Sequence, residues 1–503
     1  MNQSSLKETS PLPANKYDLK LHYPDLASAL KAQLASRLWL TFLLLAAALI
    51  LGALLGYVIS RYHFVIPVGL FIAIPVFLLV MRRPFDAILI WLLVTPFFVI
   101  TPDAGSRYVY WLTHRTLIPF AVIFALISGA TNKRLRFGLT EVFLLAFVLL
   151  NVFSILYYDA SPSEELIKVF DRVLVGSTLF LLIRLTQPNE VQLKRLIVAF
   201  TIMSIVQGSI GLMMNISATR AMLPEAWIRV SSERTTGSLG RVAEYSSTLT
   251  ASMLLAAHYG MNTRRRWRRV LCFTALLLGS ICLVLSFSRG TWLASAIVGT
   301  LTIVFYRRLA PYILIMAVII VSVLSTNMFA DSIVFAQERL NNQQNVDARV
   351  VSDYAHFRMI AAKPLLGWGY GNYYRYHSQF LKPIGNTPVV DDHIPSHNTF
   401  LSMTVELGLL GLVLFFMPWL ILFVQSFSAF KRLPRNGFYS RQLLVVLWLG
   451  VVFWLVVTNF MNMRLAFWGM TWIWLPLGLI ASVVDGSQEL ASNLQMAKPG
   501  GWH

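Results

Sequence analysis

LTFLLLAAALILGALLGY, residues 40–57, carries no charged side chain. At ~1.5 Å rise per residue it is long enough to cross a hydrocarbon core of about 30 Å as one helix. Runs of this kind recur along the 503 residues, placed near 38–59, 64–81, 86–101, 115–130, 139–157, 166–186, 195–216, 242–260, 270–287, 290–306, 310–327, 398–428, 442–461 and 465–484. Solid apolar blocks of this length predict transmembrane helices, whereas barrel strands would alternate in hydrophobicity over about ten residues. The expectation is therefore an all-α polytopic membrane protein with about 12–14 spans.

Composition agrees. The chain is 56% hydrophobic and only 13% charged, with mean hydropathy +0.63, against roughly a quarter charged residues in soluble domains. That excludes an ordinary cytosolic enzyme and a disordered or fibrous chain. Cys272 and Cys282 fall ten residues apart in one expected helix. Their separation, on the order of 15 Å, is too large for a disulfide, and they read as small core residues.

A net charge of +19 suggests nucleic acid until its distribution is followed. Short basic clusters occupy alternate connections: Lys31 and Arg37; Arg82 and Arg83; Lys133, Arg134 and Arg136; Arg184, Lys194 and Arg195. Arg264 to Arg269, Arg307 with Arg308, and Lys431 to Arg441 continue the series, while an intervening turn is the acidic DASPSEE of 159–165. The positive-inside rule then puts the N-terminus in the cytoplasm. The excess charge is topology plus attraction to anionic lipid headgroups, with no nucleic-acid partner. Residues 1–36 form a polar tail without a cleavable signal pattern, and 24–38 are amphipathic enough to lie on the membrane surface.

This orientation sets residues 217–241, the turn at Ser286–Gly290 and a long loop of 328–396 on the outer face. Long loops between spans are usually functional. The loop contains a helical stretch at 346–362, and cations on this side need a reason other than topology. They are Arg220, Arg229, Arg234, Arg241, Arg289, Arg339, Arg349, Arg358, Lys363, Arg375 and Lys382. Arginines converging at an outer leaflet suit an anionic ligand such as a diphosphate, although a lone Arg289 could also snorkel to headgroups. His397, in DDHIPSHNTF, opens the next span, where the helix dipole disfavours imidazolium and leaves a neutral ring able to take a proton. Asp391 and Asp392 read as solvated loop charges more readily than as metal ligands. Gly367-Trp-Gly-Tyr-Gly-Asn lacks the strand context of a dinucleotide loop and reads as a close backbone turn. Glu406, inside the span, needs a partner: an arginine, or the site itself.

Taken together, Ser286-Phe-Ser-Arg289-Gly-Thr-Trp-Leu, Asp347-Ala-Arg349, Lys363-Pro-Leu-Leu-Gly-Trp-Gly-Tyr-Gly-Asn, His397-Asn398 and Glu406-Leu-Gly-Leu-Leu-Gly resemble the O-antigen ligase and polymerase superfamily of bacterial envelope glycosyltransferases. They stand in family order over 235–430, with Thr236-Gly-Ser-Leu-Gly-Arg241 matching the family's upstream glycine segment. The resemblance implies a GT-C-like helical fold in the inner membrane. It also implies metal-independent, cofactor-free, inverting transfer of a glycan from undecaprenyl diphosphate at the periplasmic face. Arg289 and Arg349 would then grip the diphosphate and His397 would deprotonate the acceptor hydroxyl. Arg241, Tyr370, Asn372, Asn398 and Glu406 would contact substrate.

The expected organisation is a cytoplasmic tail over 1–36, spans over 37–327, a periplasmic site-bearing loop over 328–396, spans over 397–485 and a cytoplasmic tail over 486–503. The acceptor could be lipid A-core, in ligation, or a growing glycan, in polymerisation, with membrane lipids and envelope assembly proteins as further partners. A lipid-linked oligosaccharide flippase or polysaccharide transporter is the alternative. Such a protein would show repeated halves and charges deep in a central cavity, and no repeat is visible in the sequence.

Overall fold

Each apolar block that can be followed becomes a helix, because an unpaired backbone amide in hydrocarbon costs several kcal/mol and only a helix satisfies its own. The computed structural model describes residues 65–100, 104–128, 138–158, 162–231, 234–325, 334, 344–385, 387–389 and 396–496. All of them lie in one compact unit, 55–503. The block at 38–59, the amphipathic 24–38, Arg339 and Asp391–Asp392 fall outside the described residues.

The helices are α1 (Val65–Arg82), α2 (Asp86–Val94), α3 (Ala104–Tyr110 continuing through Leu117–Ile127), α4 (Leu139–Tyr158), α5 (Pro162–Val169 continuing through Val175–Thr186), α6 (Glu190–Asn215) and α7 (Val242–Asn262). They are followed by α8 (Arg266–Val284), α9 (Arg289–Phe305), α10 (Ala310–Leu324), α11 (Gln344–Ala362), α12 (Thr399–Arg432), α13 (Arg441–Val457) and α14 (Trp474–Met496). No strand occurs among the described residues. The chain is a multi-pass, all-α membrane protein. The last helix runs to Met496 without a break at the expected boundary of 485, and Ser487 is fully buried.

Six described helices are long and apolar enough to cross a membrane, or seven if α9 and α10, bent by 115° at Arg307–Leu309, count as one. Shorter apolar helices occupy Ala73–Arg82, Asp86–Phe98 and Arg441–Val457. The number is below 12–14 partly because one long element, α7, is too polar to qualify. α7 carries Glu244, Ser246, Ser247, Thr248, Thr250, Ser252 and His258, all buried, since it runs through the bundle between α6, α8 and α13. A helix that never meets lipid has no need of an apolar surface. α5 is interrupted by a π-helical turn, Phe170–Leu174, and α3 by another, Trp111–Thr116. Their side chains interlock: Arg115 donates to both Asp171 carboxylate oxygens at 2.7 Å. The Asp171 carbonyl accepts from Thr471 at 3.0 Å and lies 3.0 Å from His114 Nε2. On the perimeter, Leu145, Leu149, Phe153, Val413, Leu420, Phe423 and Phe427 are exposed, a surface that only lipid can cover.

One end of the bundle is electrostatically stitched. Arg184 pairs with Glu141 at 2.8 Å and with Asp485, and Arg195 pairs with Asp86 at 2.6 Å. These are the arginine-rich connections read from the sequence. α7, α9 and α12 all run toward that end, finishing at Arg264–Arg269, Arg307–Arg308 and Lys431–Arg432. Their N-termini therefore meet at the opposite face.

A candidate functional site at three helix N-termini

α7 begins at Arg241, α9 at Ser288 and α12 at Asn398. Hydrogen bonds and one close packing contact hold the three starts together. Thr291 of α9 donates to Ser246 of α7 at 3.3 Å. Gly290 lies against Phe460, where a Cβ would come within 2.8 Å of the phenylalanine Cβ. The turn carrying Phe460 is joined to α12 by Thr399, whose amide donates to the Thr458 carbonyl and whose hydroxyl donates to the Met461 carbonyl, both at 2.9 Å. Arg241 and Arg289, both exposed, and the segment ending in His397 thus share one face. Each stands at a positive helix terminus, where an anion is favoured by about 0.3–1 kcal/mol per terminus.

Arg289 is aimed by a strained turn. Phe287 has φ 47°, a left-handed conformation that costs a non-glycine residue roughly 1–2 kcal/mol. Its ring is buried against Ile281 and Leu285, which offsets the strain. Thr235 ties the glycine segment upstream of Arg241 to the same turn, its hydroxyl donating to the Leu285 carbonyl at 2.8 Å.

α11 supplies the third arginine. Arg349 acts electrostatically on both Asp353 and His397. Burial of His397 first, then the Arg349 charge, pushes the imidazole pKa down to about 4, so the ring is neutral near pH 7. The direction expected from the helix terminus holds, but burial and Arg349 are what produce it. Asn398 is engaged otherwise. Its Oδ1 accepts from the amides of Phe400 at 2.9 Å and Leu401 at 3.0 Å, capping α12.

The glycine-rich turn docks into a break in α12. Gly408 has φ 69° and ψ −174°, so Leu409 and Leu410 donate to the carbonyls of Pro364 (2.8 Å) and Leu365 (3.2 Å) instead of back along the helix. The carbonyls thereby freed, Val405 and Glu406, accept from Trp368 (2.9 Å) and Gly369 (2.8 Å). Tyr370, Asn372 and Glu406 are all buried here. Asn372 donates to the Trp368 carbonyl at 3.1 Å. Glu406 pairs with Arg464 at 2.6 Å, and that guanidinium lies 4.9 Å from the Tyr370 ring centre. The structure thus resolves the partner of Glu406 as an arginine, in a polar layer beneath the arginine-and-histidine face.

Two other outer-side cations also have structural partners: Lys363 sits 4.2 Å from the Trp368 ring centre, and Arg358 donates to the Phe380 carbonyl at 3.0 Å. No cluster of His, Cys, Asp and Glu suited to a metal occurs among the described residues. Sequence reasoning missed Arg172, Glu244, His356 and Arg464. Arg464 interrupts the apolar run between the last two spans, the signal that singled out Arg289. Arg172 and Glu244 are brought together with Arg241 only by tertiary packing, with Phe467–Trp472 contacting both α5 and α7, and nothing in their local sequence marks them.

Among curated proteins no match was found. Residues 273–416, the stretch from α8 through α9 and α11 to the break in α12, match the family model described as O-antigen ligase. Arg289, Arg349, the glycine-rich turn, His397 and Glu406 all fall inside it. Through this segment the chain is similar to the O-antigen ligase family, in line with the resemblance carried by its motifs.

Proposed function

We propose that this protein transfers a glycan from undecaprenyl diphosphate to an acceptor hydroxyl at the periplasmic face of the inner membrane. The observation that carries the reading is the proximity of a neutral, half-buried His397 to Arg349, on the face where Arg241 and Arg289 open their helices. His397 takes the proton of the acceptor hydroxyl as its oxygen attacks the anomeric carbon. The carbon–oxygen bond to the diphosphate breaks on the opposite side, with inversion. Arg289 and Arg349 stabilise the charge gathering on the departing diphosphate, a preorganised effect worth several kcal/mol. With arginine forks on a good leaving group, the scheme requires no metal.

Arg349 gives the scheme a built-in order. Without donor its positive charge weakens His397 as a base. A diphosphate seated on Arg349 cancels that charge, raises the affinity of His397 for a proton and strengthens the base when there is something to transfer.

The test uses the full chain in lipid nanodiscs with a lipid-diphosphate glycan, and either lipid A-core or a second lipid-linked glycan as acceptor, with products read by mass spectrometry. His397→Ala should bind donor and form no product. Normal transfer by that variant would sink the reading. The acceptor that is consumed separates ligation from polymerisation.

A further inference from the structure

His397 and Arg349 sit on different elements, one just ahead of α12 and the other on α11, with some thirty residues of loop after α11 between them. Nothing local in the backbone fixes their separation. We propose that His356 is a positioning residue for the transfer, tying the segment that ends in His397, through Ser396, to the helix that carries Arg349. The inference rests on the glycan-transfer reading and deepens it.

The geometry is specific. Residues 349 and 356 are two turns apart and share a face of α11. His356 is fully buried, its Nδ1 2.6 Å from the Ser352 carbonyl and its Nε2 2.9 Å from Ser396 Oγ. A carbonyl only accepts, so Nδ1 must carry the hydrogen. In the neutral ring Nε2 is then an acceptor, and the Ser396 hydroxyl donates to it. Burial pushes His356 down to about 4, and the nearby His377 and His397 act in the same direction, so this is the state near neutral pH.

The ring cannot swing away. It stacks on Tyr373 with centroids 4.7 Å apart and planes 18° from parallel, and the Tyr373 hydroxyl lies 3.3 Å from Ser352 Oγ. Ser396 is itself buried and stands two residues before Asn398, the α12 cap; its one hydroxyl hydrogen goes to His356 at 2.9 Å in preference to the Asn398 carbonyl at 3.2 Å. One imidazole therefore joins α11, the chain following the glycine-rich turn and the entrance to α12. His356 does not face the reacting atoms. It sets where His397 stands relative to a diphosphate held by Arg349.

The test compares donor binding with turnover in nanodiscs. His356→Ala and Ser396→Ala should each lower kcat by about 10- to 100-fold, the usual effect of misplacing a catalytic group by an ångström or less, with donor affinity unchanged. His356→Gln places an amide oxygen near the former Nε2 and should restore most of the activity. The double variant His356→Ala/Ser396→Ala should be no slower than the slower single variant, because both remove one tie. Full activity in Ser396→Ala, or losses that multiply in the double variant, would overturn the proposal. So would a loss of donor binding that parallels the loss of kcat, which would mark a merely structural role. His397→Ala is the separate control. If it remains active, the glycan-transfer reading has failed; if it is dead while Ser396→Ala is normal, only the positioning role has.

Discussion

Replacing Gly408 by alanine tests how the glycine-rich turn is held. At φ 69° and ψ −174° the backbone occupies a region essentially closed to other residues, with a cost of about 1–3 kcal/mol for a side chain forced into it. The new Cβ would also collide with the carbonyl of Leu365, a backbone atom that cannot rotate aside. The alternative is for α12 to straighten. Leu409 and Leu410 would then donate to Val405 and Glu406, but Trp368, Gly369, Pro364 and Leu365 would lose the partners they have now. The carbonyls of the exposed Pro364 and Leu365 could turn to water, but the amides of Trp368 and Gly369 would be left without partners, at about 1–3 kcal/mol each. Either route predicts destabilisation of about 2–6 kcal/mol, and straightening also moves Tyr370 away from Arg464. Gly299→Ala is the control, because it lies within α9 with nothing near its would-be Cβ. It should be neutral or gain about 0.5–1 kcal/mol of helix propensity. Thermal unfolding of the two variants in detergent, followed by tryptophan fluorescence, decides the matter. Equal midpoints for Gly408→Ala, Gly299→Ala and the parent would show that the break in α12 is not what seats the turn.

Four further outcomes follow from the same geometry. With a His397 pKa of about 4 in the donor-free protein, kcat/KM should hold through neutral pH and fall as the pH drops through about 4, while the limb in kcat should lie higher because bound diphosphate offsets Arg349; Arg349→Ala removes a charge that disfavours imidazolium, so the titration of His397 followed by NMR should move to higher pH. A titration unchanged by Arg349→Ala would separate the two groups. Glu406→Gln strands the buried Arg464 and should cost about 3–5 kcal/mol of stability, much of it recovered in Glu406→Gln/Arg464→Met, by thermal unfolding. Arg289→Ala should weaken donor binding in direct binding measurements, with partial rescue by lysine, which lacks the bidentate fork. For topology, cysteines placed at the exposed Gln379 and Asn436 should label from opposite sides of the membrane with an impermeant thiol reagent, over a low background because Cys272 and Cys282 are buried; labelling from the same side would overturn the orientation.

What the sequence made legible is what lipid enforces. A bilayer selects runs by length and apolarity and sorts arginines by side, both one-dimensional constraints, so 139–157 could be read against an observed Leu139–Tyr158 and 290–306 against Arg289–Phe305. The same sorting marks Arg241, Arg289 and Arg349 as cations that topology does not explain, and Arg464, between the last two spans, carries the same signal. The break at Gly408 was hidden for a different reason. Val405-Glu-Leu-Gly-Leu-Leu-Gly-Leu reads as continuous helix, and only a turn some forty residues upstream, offering two carbonyls and two amides in the right places, makes a left-handed glycine cheaper than a straight helix. His356 was hidden similarly, since its acceptor nitrogen meets Ser396 only after the whole loop has folded back. Three helix N-termini supply a place for an anion from chain direction alone, and that much is written in the pattern of spans. Setting a base beside that anion needs contacts between residues far apart in the chain. The arginines were therefore legible one by one, whereas the buried polar groups that hold them in register were not.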